Sequence, residues 1–233
     1  MKLPTITILC GGLGTRIEQG NNVPKSLITI ANKPFIFYQL ELLSKNGFKN
    51  VVLCVGHLAN KIIDVVGTQR FGLKISYSIE RTPLGTAGAI KKALPLLGEC
   101  FFVMYGDSYL PVDFVEVGYA FVQLCWNKSG MMTVYKNQNK YDKSNVLYRD
   151  GRIIKYGKKS STTEMEHIDY GLSVFNKEAF DVLKPNIKYD LSEVYNHQHN
   201  RIMGYEMKSR FYEIGSPEGL KDFEEYITKT KGN

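Results

Sequence analysis

The sequence predicts an α/β protein, a mostly parallel sheet with helices on both faces. Three observations carry that prediction. Strand-like and helix-like runs alternate four times before Asn127. The strand-like runs are short and apolar, as expected of strands buried on both faces. A glycine-rich turn (Gly11 to Gly14) and Asp107 each follow such a run. In sheets of this kind ligands bind outside the carboxyl ends of the strands.

The elements can be taken in order. "TITIL" is a β-branched strand. "PFIFYQLELLSKNG" has helical spacing at Phe35, Tyr38 and Leu42 and closes on Gly47, a C-terminal cap. "VVLCV" is a buried strand, "LANKIIDVV" a helix, and "LKISYSI" an alternating strand. "GTAGAIKKALPLL" begins a helix at its glycine end. "FFVMYGD" is a buried strand ending at Asp107, and "PVDFVEVGYAFVQLCWN" is a helix. In the second half "GMMTVYKN", "SNVLYRDGRIIKYGKK" and "HIDYGLSVFN" are strands, two of them joined by a tight turn at Asp150-Gly151. Helices are expected from about Lys177 and about Asp190, and short strands at "RIMGYEMKS" and "RFYEIGS". "SPEGLKDFEEYITK" is a helix capped by Ser216, with Pro217 at its first position. The second half is expected to extend the same sheet and floor a pocket.

Bulk properties narrow the function. A chain of 233 residues fits one domain or one domain with a small appendage, and it can bury its core without staples. Cys10, Cys54, Cys100 and Cys125 form no C-x-x-C pair and read as reduced thiols of a cytosolic protein, not as a zinc site. "MKLPTITILCGG" lacks the pattern of a secretory signal, and no run approaches the ~18 apolar residues of a membrane span. A cytoplasmic protein without a membrane partner is the expectation. The net charge of +7 is scattered; its densest cluster, Lys155, Lys158 and Lys159, is too short for a nucleic-acid stripe. A basic balance also suits a protein that handles small polyanions.

The stretch "LCGGLGTRIEQGNNVPKSL" is the most informative. It is neither of two familiar phosphate loops. A dinucleotide fingerprint needs a third glycine where Ile17 stands, and a Walker A loop needs Gly-Lys-Ser/Thr where the chain has Pro24-Lys25-Ser26. Main-chain N–H groups of a glycine turn can cradle phosphate oxygens, Arg16 can fork onto two of them, and Lys25 can add a point charge. A plain glycine turn with solvated cations would share this spacing. Asp107 closes a buried strand, where an unpaired carboxylate is costly; a metal ligand or a helix cap would resolve that cost. The small residues Gly85, Thr86, Ala87 and Gly88 open a helix whose free N–H groups and low profile let a flat base lie close. Close helix–sheet packing would ask for the same residues. His197 and His199 are two apart and do not share a helix face, so no metal role is assigned to them.

Taken together, "GGLGTR" with "PKSL", "ERTPLGTAGAIKKAL", "YGDSY", "IDYGLSVF" and "FYEIGSPEGL" resemble, in the same order, the motifs of the sugar-1-phosphate nucleotidyltransferases. The resemblance covers most of the chain. It is nearest in look to the short bacterial guanylyltransferases acting on heptose or hexose 1-phosphates. It implies a Rossmann-like, three-layer α/β/α nucleotidyltransferase fold in one domain, with residues 1–127 as the nucleotide half and 128–233 as the sugar-phosphate half. It also implies an Mg²⁺ cofactor held by Asp107 and Glu213, and catalytic roles for Arg16, Lys25 and Asp107. Leu9, Gly11, Gly12, Gly14, Thr15, Glu80, Gly85 and Thr86 would bind the nucleotide. Gly106, Lys159, Asp169 and Gly171 would bind the sugar phosphate. Three positions depart from the family pattern: Glu213 stands for Asp, Lys158 for the Glu of an "EK" pair, and Asp169 for Asn. The last two suggest an altered acceptor pocket, in which Asp169 accepts hydrogen bonds from sugar hydroxyls. "GGxGTR" with "PLGTAGA" leans towards guanine, with uridylyl, cytidylyl and thymidylyl transfer as alternatives. A homodimer is compatible with the resemblance.

The chemistry accounts for what is missing as well. A sugar-1-phosphate oxygen attacks the α-phosphorus of a nucleoside triphosphate and pyrophosphate leaves. The attacking monoester, with a second pKa near ~6, is already largely deprotonated. No general base is needed, so the lack of a paired His and Asp is expected. Other readings are a glycosyltransferase, a non-catalytic nucleotide sensor and a nucleic-acid module. The first is disfavoured by Asp107-Ser108-Tyr109, which lacks the second acid of an Asp-x-Asp pair.

Overall fold

The computed structural model describes residues 2–12, 23–125, 127–157 and 162–231. In chain order the strands and helices of the first half are β1 (Ile6–Leu9), β2 (Thr29–Ile30), β3 (Lys33–Pro34), α1 (Phe35–Lys45), β4 (Asn50–Val55), α2 (Ala59–Val66), β5 (Gln69–Arg70), β6 (Leu73–Ile79), α3 (Gly85–Ala93), β7 (Cys100–Tyr105), β8 (Ser108–Tyr109) and α4 (Phe114–Leu124). The second half adds β9 (Gly130–Lys136), β10 (Val146–Arg149), β11 (Arg152–Tyr156), β12 (His167–Asn176), α5 (Leu191–His197), β13 (Ile202–Met207), β14 (Tyr212–Glu213) and α6 (Pro217–Lys231).

Ten strands form one sheet in the order β10-β11-β13-β9-β12-β7-β1-β4-β6-β5. The predicted α/β class holds: β7, β1, β4 and β6 run parallel, and β13 runs parallel to β9. β12 is inserted antiparallel between β7 and β9. Strand alternation divides the core. Val51, Leu53, Val55, Phe102 and Met104 face the layer that contains Ile36, Leu40, Ile62 and Phe114 of α1, α2 and α4. Val52, Cys54, Phe101 and Val103 face Ile90 of α3 and Val194 of α5. Period-2 strands carrying apolar side chains on both faces need helices on both sides, hence three layers. Phe223 and Ile227 of α6 pack on Phe35, Tyr38, Tyr212 and Ile214 in a third cluster.

Local signals act where the sequence places them. Gly47 has φ +86° directly after the α1 C-cap. Asp150 (φ +47°) and Gly151 (φ +76°) turn β10 into β11 with the positive angles that a two-residue hairpin favours. Asp190 and Glu193 form a reciprocal capping box at α5. Ser216 Oγ accepts the Gly219 N–H at 3.1 Å at the start of α6. The helix expected from Lys177 is instead a single 3₁₀ turn, Lys177–Phe180. Pro185 disfavours helical backbone at Lys184 and Asn186 stands at φ +58°, so the stretch open to a helix is too short to sustain more than a turn.

Candidate active site at the carboxyl edge of the sheet

The chain leaves β1 for β4 on one side and returns to β7 on the other, so the strand order reverses at β1. A cleft of about 700 Å³ opens beyond the carboxyl ends there. Because β12 is antiparallel to β7, its first residues reach the same edge. Leu9, Gly11, Gly12, Lys25, Glu80, Gly85, Thr86, Gly106, Asp107, Asp169 and Glu213 all line this cleft. Sequence-distant candidates are thus brought together by topology. Gly14, Thr15, Arg16 and Lys159, with Lys158, lie outside the described residues. Gly171 sits beside the wall: with φ +90°, a methyl group on it would come within 3.2 Å of Ser108 Oγ.

Asp107 lies in the turn after β7, not at the strand end that the sequence predicts, because β7 stops at Tyr105. Its carboxylate is 30% exposed and pairs with Lys25 Nζ at 3.1 Å. This charge-assisted hydrogen bond at the cleft offsets part of the cost of the carboxylate, beside the metal or helix-cap role the sequence suggests. Lys25 stands in a 3₁₀ turn after Pro24. The Asp107 turn is clamped from behind: Gln39 of α1, fully buried, donates through Nε2 to Tyr105 O (3.0 Å) and Ser108 O (2.7 Å). Gln39 was not singled out in the sequence; a lone polar residue on an apolar helix face is its only signal. Gln39→Leu would remove both hydrogen bonds, and the loss of the donor to the buried Ser108 carbonyl alone would cost about 1–3 kcal/mol. We expect a clear drop in Tm by calorimetry, and an unchanged Tm would refute the clamp. β8 pairs with β14, setting Glu213 opposite Ser108, and Ile214 N donates to Asp107 O at 2.9 Å. The two predicted metal ligands therefore rise from neighbouring main chains.

Glu80 follows β6 and extends its ladder, with Glu80 N donating to Val55 O at 2.9 Å. Its Oε2 accepts the Leu84 N–H at 3.0 Å. Burial holds this carboxyl above the ordinary carboxylate range, partly opposed by that hydrogen bond. A raised native pKa means that the ionised side chain costs the folded state. The cost is complete above the native pKa and absent below the unfolded value of about 4.3. Glu80→Gln is therefore expected to raise Tm at pH 7 and leave it unchanged below about pH 4. The same shift at both pH values would contradict this.

At the amino end of α3 the structure changes the expected picture. The Ala87 and Gly88 N–H groups donate to Tyr189 O at 3.0 and 3.3 Å, so they are not free for a ligand. The Thr86 hydroxyl oxygen accepts the Leu191 N–H at 2.7 Å and helps to start α5. Methyl groups on Gly85 and Gly88 would strike the carbonyl oxygens of Tyr189 and Ile187 at 2.5 and 2.6 Å. Close packing, against a chain segment rather than the sheet, is what asks for small residues. Gly85 and Thr86 still face the cleft, with Lys188, which that segment delivers beside Gly85.

Asp169 is also already engaged. Its Oδ2 accepts the hydroxyls of Tyr105 (2.7 Å) and Tyr156 (3.2 Å), and Oδ1 accepts the Gly171 N–H at 3.0 Å. Burial and this carboxylate push both phenols well up, so both remain donors. One acceptor position on Oδ1 is left by this count, enough for a single hydroxyl. The Asp169 N–H meets Asn145 Oδ1 at 2.9 Å, which binds the loop carrying Asp142, Lys143 and Ser144 to the cleft wall. That loop is held by buried Asn137, whose Nδ2 donates to Asp142 O at 2.6 Å. Lys143 and Lys188 were missed in the sequence because single exposed lysines carry no local pattern. Burial pushes the Cys10 and Cys54 thiols up, Cys54 to about 12, so neither is a nucleophile. Among the described residues no group of three or more His, Cys, Asp or Glu side chains could hold a metal ion by itself, and no helix is long and apolar enough to cross a membrane.

Comparison with known proteins finds relatives that match nearly the whole chain. The chain is 29% identical, over 93% of its length and 96% of the relative's, to a D-glycero-alpha-D-manno-heptose 1-phosphate guanylyltransferase of Campylobacter jejuni. A protein with the same description from Aneurinibacillus thermoaerophilus is 29% identical over 94% of this chain and 98% of its own. The crystal structure of HddC from Yersinia pseudotuberculosis superposes with a TM-score of 0.78, covering 97% of this chain and all of that one at 24% identity, which shows a shared fold. The family profile described as Nucleotidyl transferase matches residues 6–212, from the first strand of the sheet to the strand that carries Glu213, and the chain belongs to that family.

Proposed function

We propose that this protein transfers a nucleotidyl group from a nucleoside triphosphate, preferentially GTP, to the phosphate of a sugar 1-phosphate, a heptose or hexose, releasing pyrophosphate. The observation that carries the reading is one cleft with Lys25 and Asp107 paired at 3.1 Å on one wall and the Glu80 carboxylate on another. The relatives described as heptose 1-phosphate guanylyltransferases support it over nearly the full chain.

The chemistry follows from charge. A phosphate-monoester oxygen of the acceptor forms a bond to the α-phosphorus, the bond from that phosphorus to the bridging oxygen breaks, and pyrophosphate carries away the electron pair. Lys25 neutralises charge as it builds on the transferring group, and Asp107 holds the Lys25 ammonium in place. Glu80 offers an anionic acceptor to the base. Guanine presents adjacent N1–H and 2-amino donors to such a group, whereas uracil and thymine flank a single N–H with two carbonyls that a carboxylate repels.

The residues present fit an Mg²⁺ ion. Asp107, in the turn that leads into β8, and Glu213, on β14 paired with β8, both line the cleft, and this ion needs only one or two carboxylates together with substrate phosphates. Asp107 and Glu213 would hold it, and when bound it would supply positive charge to the phosphate oxygens.

The test is pyrophosphate release from a matrix of NTPs and sugar 1-phosphates with and without Mg²⁺. We expect turnover with GTP and at least one sugar 1-phosphate, abolished by EDTA. No pair exceeding an Asp107→Ala control would overturn the reading. Asp169→Asn is expected to raise KM for the sugar phosphate several-fold while leaving KM for GTP within about twofold, because the amide turns a donor towards two phenolic donors. Equal changes in both constants would count against an acceptor-side role.

A further inference from the structure

We infer that Gly56 is a positioning residue for base recognition, a role that rests on the proposed function above and extends it to a residue outside the motifs. Gly56 directly follows β4, at the same sheet edge as Gly11 and Glu80. A Cβ on it would lie 2.7 Å from Glu80 Oε1, 2.9 Å from Cγ and 3.2 Å from Cδ. A Cβ on Gly11 would lie 2.8 Å from the same Oε1. The carboxylate therefore rests in a notch between two residues that lack side chains, while Leu84 N–H fixes its other oxygen at 3.0 Å.

Backbone conformation does not ask for glycine at position 56, because it is absent from the glycines with positive φ. Space alone explains it. Rotating the carboxylate would not relieve a methyl group here, since Cγ and Cδ are crowded as well as Oε1. The whole Glu80 side chain would have to change rotamer, give up the Leu84 N–H and carry its free oxygen away from the base. Gly11 then has two reasons to be small, the seat of Glu80 and the approach of phosphate, whereas Gly56 has only the first.

A double-mutant cycle tests this on the full chain, using whichever NTP the wild type turns over best. Gly56→Ala is expected to raise KM for the NTP by about tenfold with kcat and the sugar-phosphate KM within about twofold. In the Glu80→Ala background, where the crowding side chain is gone, the same substitution should change the NTP KM by less than about twofold. An equal effect in both backgrounds, or none in the wild type, would overturn the inference. If Gly56→Ala fails to fold, the Glu80→Ala/Gly56→Ala double variant decides: recovery of a cooperative Tm supports the seat, and continued failure refutes it. A wild type that bound no NTP would remove the proposed function and this inference with it. A wild type that turned over GTP with a strictly additive cycle would remove the inference alone.

Discussion

Asp107→Asn is expected to lower kcat for pyrophosphate release by about 10³-fold, with a smaller change in KM for the triphosphate. The substitution keeps the size of the side chain and its place in the turn clamped by Gln39. It removes the charge that holds Lys25 Nζ at 3.1 Å, and with it one of the two proposed Mg²⁺ ligands. Lys25→Met should cost about 10²–10³-fold through loss of the neutralising cation. Because the two side chains act as one unit, the double variant should be little worse than the more damaged single one. Steady-state kinetics across an Mg²⁺ titration would check all three, with Asp107→Asn also shifting the half-saturating Mg²⁺ concentration upward. An Asp107→Asn enzyme within tenfold of wild type would show that the paired carboxylate is structural.

Gly106→Ala should damage the fold rather than a contact with substrate. The resemblance placed Gly106 among sugar-phosphate ligands, and the structure shows a second demand on it. A methyl group there would overlap the carbonyl oxygen of Leu9, approach its carbonyl carbon to 2.9 Å and come within 3.2 Å of Cys10 Cα. Those are main-chain atoms of a central strand, and Gly106 N itself donates to Leu9 O at 3.2 Å. The only relief is to part β1 from β7 at the edge where the cleft opens. Overpacking against backbone at the centre of a sheet costs about 3 kcal/mol or more. For a chain of this size that is a fall in Tm of about 6–12 °C. Gly12→Ala is the matched control for stability, because its Cβ would meet nothing within 4 Å among the described residues. A Gly106→Ala protein melting with the wild type would refute the packing argument.

Much of this fold was legible in the sequence because its signals are local. An apolar β-branched run, a helical spacing and a cap residue act within a few neighbours, and the strands, the α1 and α5 helices and the Asp150-Gly151 turn appear where those signals stand. The helix expected from Lys177 did not, since Pro185 and Asn186 leave too short a stretch for one and a single 3₁₀ turn forms. Much of the site was legible too, because a doubly covered sheet collects functional residues at its carboxyl edge: Leu9, Gly11, Gly12, Lys25, Glu80, Gly106, Asp107, Asp169 and Glu213 meet in one cleft. What each residue does there was less legible. Gly85, Thr86 and Gly88 look like a seat for a ligand, yet the small size of the glycines and the Thr86 hydroxyl serve the Ile187–Leu191 segment a hundred residues away. Asp169 looks like an open acceptor and is already shared by two phenols.

By itself the sequence determined the alternation of strand and helix, the glycine turn, the ordered motifs and hence the class of chemistry, all of which depend on residue type and short spacing. Only the tertiary structure decided which charges are paired, which N–H groups remain open and which glycines make room for a neighbour. Hydrogen bonds and steric overlap are settled within about 3 Å, and the partners at Lys25 and Asp107, Gly56 and Glu80, or Thr86 and Leu191 are brought to that distance by the folding of the whole chain.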